Sequence, residues 1–528
     1  MAYIHTEVTR PSGLNKDLSP FELPPELWSD GENITFRRNR VAKSKGYSNS
    51  FDLTDTVIPP TFVMYFTDNT DTFWLYGSES EIYKTDGAIA TSMATGFNAT
   101  RDHNWTGINF NTKAIMNNSN DHPQVMDDGF TAMIDLPNWG STAGGDPNLA
   151  PWGEDSRAEI IRGYKNYLMA LDCYDETGRR YPSMVRWSSP AEAGDVPPSW
   201  DALVVGEQAG LYPLADTPGR IVEGLTLGDY FMIYKTDSVW QVQFIGGDFI
   251  MSFRKVFGDE AGCLSKECVA EFDGKHFVLT ATGAYITNGQ TKKEIMEQWV
   301  KDEFFNQAAP DTISQTKIVA DHNNKEIWIY YITDNSTTGW ADRAIIYNWE
   351  IQKWTVRELT GISYITEGVV EKVAAVNDWD GSTDEWNQNS AEIWNSDLPI
   401  SPVDRGLLLA DYVNKVFYKN ELGELLVTEP MIARIKRIGI DFDDDANFKY
   451  LTRVIPHVLG ANPVTVTIFA SDNQTTSPSI AHQSVFNPTT DVDIDCHVAG
   501  RYIGIEFSGE EFWTLTGYSL EWEPTGRF

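Results

Sequence analysis

The sequence predicts an all-β fold: a β-propeller followed by a β-sandwich-like module, with little helix. Three observations lead there. Short aromatic or apolar strands recur as hairpins from about residue 55 to residue 430. Beyond residue 430 the pattern changes to strict alternation of apolar and polar residues. The composition joins 18 Trp, 22 Tyr and 26 Phe to 40 Gly and 25 Pro. Aromatic side chains suit a pleated, half-buried surface and bury much area, while Gly and Pro serve turns.

Residues 1–54 read as an extended arm and a first strand. Pro11, Gly13, Pro20, Pro24 and Pro25 punctuate it too densely for a helix. A strand-like unit follows at Asn33, Ile34, Thr35, Phe36 and Arg37, with Val41 and a terminating Gly46. Residues 55–430 hold the repeats. One copy pairs Thr72 to Tyr76 with Ile82 to Lys84. Two others align without gaps, so that Gly228 falls on Gly274, Phe231 on Phe277 and Thr236 on Thr282. Looser copies begin near Lys113, Tyr167 and Ile327, the last continuing through Ala344 to Trp349 and Trp354 to Val356. Copies about 40–50 residues apart match propeller blades, and a closed ring lets each hairpin bury its faces. The stretch from Pro182 to Pro213 reads as an insertion. A packing helix is expected over 292–307, where Ile295, Trp299, Val300 and Phe304 share a stripe. Residues 431–528 read as a separate sandwich-like module. There Val464, Val466 and Ile468, then Ile503, Ile505 and Phe507, then Tyr518, Leu520 and Trp522 alternate with polar neighbours.

Asp and Glu number 76 against 41 Lys and Arg, a net charge of −35. That balance opposes wrapping nucleic acid, which takes clustered cations, but suits a wall along which DNA slides. A soluble surface accounts for it equally well. The densest acidic run, Asp441, Asp443, Asp444 and Asp445, is a candidate acidic lumen or a loop. As a calcium loop it lacks Gly at the sixth position and Glu at the twelfth. Cys173, Cys263, Cys268 and Cys496 are too few for a disulfide scaffold. Cys263 and Cys268 have a metal-like spacing, but His276 is the nearest third ligand and Cys496-His497 stands alone, so buried thiols are the simpler reading. No secretory signal and no membrane-length apolar run is seen, which points to folding in a reducing cytoplasm. No nucleophile elbow, P-loop or His-Glu-x-x-His occurs, and Asp378 to Gly381 with Trp386 forms only an unrepeated, misspaced approach to a sialidase Asp box. The expectation is a non-enzyme with no catalytic residue, cofactor or metal.

Four stretches carry a family resemblance: Leu18 to Arg37 with Val41 to Gly46; Arg220 to Ile295; the pair ending Tyr347-Asn348-Trp349 and Lys353-Trp354-Thr355; and Trp513 to Arg527. Together they resemble the tail hub proteins of short-tailed bacteriophages, also called nozzle or head-to-tail stabilisation proteins. The resemblance implies a six-bladed propeller in a hexameric ring below the portal and adaptor. It implies a virion tail protein made in the host cytoplasm, which extends the DNA channel, retains packaged DNA until ejection and helps dock fibres or a needle. Double-stranded DNA would pass without sequence-specific binding. Residues 182–215 and 360–430 match nothing in that pattern. Two other classes stay open: a propeller that degrades host polysaccharide, which a cleft of several carboxylates would favour, and a receptor-binding tail protein, which threefold fibres would favour.

Overall fold

In a computed structural model, the described residues are 4–526, apart from 10, 50–56, 68–71, 88, 141–151, 248, 259, 372–403, 422, 424, 427–428 and 475–476. Antiparallel sheets dominate. Five consecutive four-stranded sheets begin with the strands Phe62–Thr67, Thr106–Phe110, Arg157–Tyr164, Ile221–Leu227 and Val269–Phe272. A sixth begins with Lys317–Asp321 and ends on the first part of a long strand, Lys353–Glu371. That strand bends at Gly361 (φ 68°), and its second part carries the same nine-stranded sheet on into a seventh unit with Asp404–Asp411 and Val416–Asn420. The first strands neighbour one another in sequence order, and the seventh returns to the first. The described residues thus form a propeller of seven units, where the family resemblance implies six. The seventh had no visible repeat because it is assembled from distant pieces. Its outer strand is Tyr47–Asn49, from the N-terminal segment, which pairs with Val416–Asn420.

Equivalent turns explain both the visible and the hidden repeats. The hairpin joining the first two strands of a unit needs a residue in the left-handed region. Gly228 (φ 58°) and Gly274 (φ 67°) fill it in units four and five, the two copies that align. Asn111, Lys165 and Lys325 fill it in units two, three and six, at φ 53° to 59°. The geometry is conserved along the chain while the residue type is not.

Core layers lie between neighbouring units. Phe62, Leu75, Trp105 and Met116 fill the space between units one and two, and Leu171, Ile233 and Val242 that between three and four. The insertion after unit three's third strand (Arg180–Trp187) is anchored in the same way. Its Trp200 is 1% exposed, with its ring 4.8 Å from that of Trp139 and 6.1 Å from that of Trp152. Trp200→Ala is expected to cost ~3–5 kcal/mol of unfolding free energy, the range for emptying a buried aromatic site. A denaturation midpoint within error of wild type would show that the loop is merely draped over the unit.

Residues 433–526 supply most of a two-sheet sandwich, but the N-terminal segment completes it. Ile4–Thr9, Ile34–Arg37 and Arg40–Lys43 join one sheet, and Asp30–Glu32 joins the other beside Ala433–Ile440. Trp28 sits in the centre, its ring 6.1 Å from that of Phe507 and 5.8 Å from that of Tyr518. The described residues between 4 and 49 are therefore not an arm standing apart: prolines forbid helix but allow short strands that alternate between two partners. The helix is Gln298–Gln307, shorter than expected, with Trp299, Val300 and Phe304 buried. Lys292–Glu294 instead forms the outer strand of unit five, all three side chains exposed.

Candidate functional site

The acidic run lies in the turn between Ala433–Ile440 and Phe448–Leu459 of the sandwich. Its carboxylates serve the turn. Asp441 Oδ1 accepts the N–H of Asp443, and Asp444 Oδ1 accepts those of Ala446 and Asn447. The Asn447 side-chain amide holds the Asp444 carboxyl below its ordinary range. Phe442 (φ 56°) turns inward to stack on Trp522 at 4.5 Å, which leaves Asp443 and Asp445 exposed. Among the described residues no group of three or more His, Cys, Asp or Glu is placed to hold a metal.

All four cysteines are buried free thiols. Cys263 donates to Ser265 O and Cys268 to Thr316 O, while burial raises the Cys173 and Cys496 thiols to about 12 and Cys263 well above its ordinary value. A thiolate is the reactive form, so a disulfide-exchange reagent should label none of them in the native protein and all four in denaturant. Rapid native labelling of any of the four would contradict this packing.

The region richest in chemistry is the propeller axis. Arg162, on the first strand of unit three, makes a two-pronged bond to Glu223 on the first strand of unit four, at 2.9 and 3.0 Å. Glu223 also accepts the backbone N–H of Glu267, which precedes unit five. Glu267 in turn lies 2.8 Å from Lys317 Nζ of unit six and accepts the Tyr364 hydroxyl of unit seven at 2.6 Å. Lys266 Nζ reaches across the axis to Asn104 O, 3.1 Å away, and Asn104 donates to Thr61 O at the start of unit one. One network thus ties every unit to the axis. Burial alone would raise the Glu267 carboxyl; Lys317, Tyr364 and Lys266 outweigh it and hold the pKa below the ordinary value.

On one side of this network a cavity of about 320 Å³ opens. Arg101, Arg180, Arg220, Lys266 and Lys317 line it. So do Asp102, Glu159, Asp172 and Glu267. Arg180 holds Asp172 through two bonds of 2.8 and 2.7 Å and lies 3.3 Å from Glu159, which also accepts the Tyr174 hydroxyl. Asp172 (φ 53°) and Glu267 (φ 63°) both have left-handed backbones, Asp172 at a break in strand register between Leu171 and Cys173. Sequence reading missed this site because its members are scattered across the chain. One signal was available: Arg162 and Glu223 each interrupt an apolar strand, and a charge there needs a partner.

His276 braces units four and five. Its Nε2 lies 3.0 Å from Thr226 O, so that nitrogen carries the proton and Nδ1 accepts the Tyr234 hydroxyl at 2.8 Å. Burial lowers its pKa to about 4. The unfolded chain binds the proton first, so stability is intact above ~6.5 and is lost as pH falls from there towards 4, by ~3 kcal/mol in total. The midpoint of thermal unfolding should fall over that window less steeply in His276→Gln than in wild type; equal slopes would refute the assignment.

No family model matches the chain, and no curated protein matches it. Among solved structures it is similar to apo AztD from Citrobacter koseri, at 10% identity and a TM-score of 0.29, over 56% of this chain and 88% of that one. It is also similar to a protein of unknown function from Desulfotomaculum acetoxidans DSM 771, at 9% identity and a TM-score of 0.30, over 62% of this chain and 98% of that one.

Proposed function

We propose that this chain is a structural protein of the tail of a short-tailed bacteriophage. Copies form a closed ring, six by the resemblance, below the portal and adaptor, and the ring extends the DNA channel. The observation that carries the reading is the position of one of the four stretches that carry the resemblance. Residues 18–46 build the joint between propeller and sandwich. Asn33 bonds Glu358 of the propeller and Ile432 O at the start of the sandwich, Arg37 holds Glu326 and Glu421, and Arg343 and Arg434 grip Glu32 and Asp30. A subunit that bears axial load gains from such a joint, because neither module can swing freely. The propeller's own axis is bridged by Lys266, so the DNA path in this reading runs between copies and not through one. An excess of 35 negative charges supplies a low-friction wall for it. A closed ring follows from repeating one heterologous contact.

Imaging of assembled virions tests the reading. This chain should appear as a ring on the tail axis. Threefold fibres away from that axis, or an axial channel lined mainly by Lys and Arg, would overturn it.

A second reading, a polysaccharide-degrading or receptor-binding tail protein, draws on the carboxylates gathered in the central cavity. Asp172, Glu159 and Glu267 are each already held by a cation there, which leaves no free pair for acid–base hydrolysis. Release of reducing ends from host polysaccharide by the purified protein would promote this reading over the first.

A further inference from the structure

The central cavity inverts the charge balance of the chain. Its lining holds five Lys or Arg against four Asp or Glu, whereas the whole sequence has 41 against 76. Of the four carboxylates Asp102 is exposed, and the other three occupy two of those cations. Asp172 and Glu159 are engaged by Arg180, and Glu267 by Lys317. Among the described residues, three cations keep donors that no carboxylate claims. Lys266 spends one donor on a neutral carbonyl, that of Asn104. Arg101 donates to Gly339 O at 2.8 Å and lies over the Trp340 ring at 4.1 Å. Arg220, exposed at the mouth, makes no side-chain hydrogen bond. Glu159 and Glu267 attract Lys266 and Asp172 attracts Arg220 without taking up their hydrogen-bond donors, and a bound anion gains charge-assisted hydrogen bonds from those donors. Asp172 is held by two bonds from Arg180, and Glu267 by the Tyr364 hydroxyl and Lys317, so these side chains are fixed in the lining. Burial presses on the Lys266 ammonium, lowering its pKa.

We propose that the cavity binds the oxyanion of one small molecule, with Lys266, Arg220 and Arg101 as its donors. The volume suits a ligand up to about the size of a sugar acid and excludes a duplex. The carboxylate of a sugar acid and free phosphate share this chemistry. The site is independent of the tail role, since it lies within one subunit.

Thermal unfolding and titration calorimetry of the full chain decide the matter, with inorganic phosphate and glucuronate as probes at ~10 mM and chloride at matched ionic strength as control. At least one probe should raise the unfolding midpoint where chloride does not. Tighter binding of glucuronate assigns the site to sugar acids, and tighter binding of phosphate to the free ion. Arg220→Gln, at an exposed position where folding is not at stake, and Lys266→Met should each weaken binding tenfold or more. No binding by either probe, stabilisation by chloride alone, or unchanged affinity in Arg220→Gln would overturn the proposal.

Discussion

A chain lacking residues 1–49 should fail to fold cooperatively, giving a broad or absent thermal transition and strong binding of a hydrophobic dye. Among its described residues the segment buries the large apolar side chains of Val8, Leu14, Leu23, Trp28, Ile34, Phe36, Val41 and Tyr47. At ~2 kcal/mol each they contribute ~16 kcal/mol, as much as the whole net stability of a typical domain. Their loss also strips the outer strand from unit seven and exposes the edge of Val416–Asn420. Adding residues 1–49 back as a separate peptide should restore part of the transition if pairing is the cause. A sharp transition near the wild-type midpoint in the shortened chain would show that the strands are ornamental.

Glu267→Ala should destabilise the protein by ~3–5 kcal/mol, the cost of removing one partner from a buried ion pair. Lys317 would lose its counter-ion and Tyr364 its acceptor, while Lys266 would lose its neighbouring negative charge. Glu267→Gln keeps an acceptor for Tyr364 but not the charge, so it should recover part of the loss. Equilibrium denaturation in urea resolves the three proteins. Equal stabilities for Ala, Gln and wild type would mean that the network is dispensable. Wild type should also lose this contribution in acid. The Glu267 carboxyl is depressed in the fold, so its stabilisation is complete above the ordinary carboxylate range and fades as pH falls below it.

How much of this was legible follows from where the chemistry is local. The all-β reading rests on alternation and aromatic strands, which are written in adjacent residues. The Gly228 and Gly274 turns are legible because glycine is the common solution to a left-handed turn. Lys165 and Lys325 solve the same geometry with residues that carry no such mark, so units three and six look like weaker copies. Unit seven was not legible at all, because Tyr47 and Tyr418 meet only in the fold. The axial network is hidden for the same reason: Lys266 and Asn104 lie 162 positions apart. The acidic run was conspicuous in sequence, yet Asp441 and Asp444 satisfy their own turn and Asp443 and Asp445 are exposed.

The outer strand Tyr47–Asn49 also sets a timetable for synthesis. Its partner Val416–Asn420 leaves the ribosome some 370 residues later. At roughly 5–20 residues per second that is an interval of about 20–70 s. During it, units one to six can assemble while the ring gapes and the first-made strands wait without partners. Copies translated from one message therefore pass through a period in which an early strand of one can pair with the late edge of another. Chaperone capture or a domain-swapped dimer is the expected by-product of rapid overproduction, and slower translation at lower temperature should reduce it.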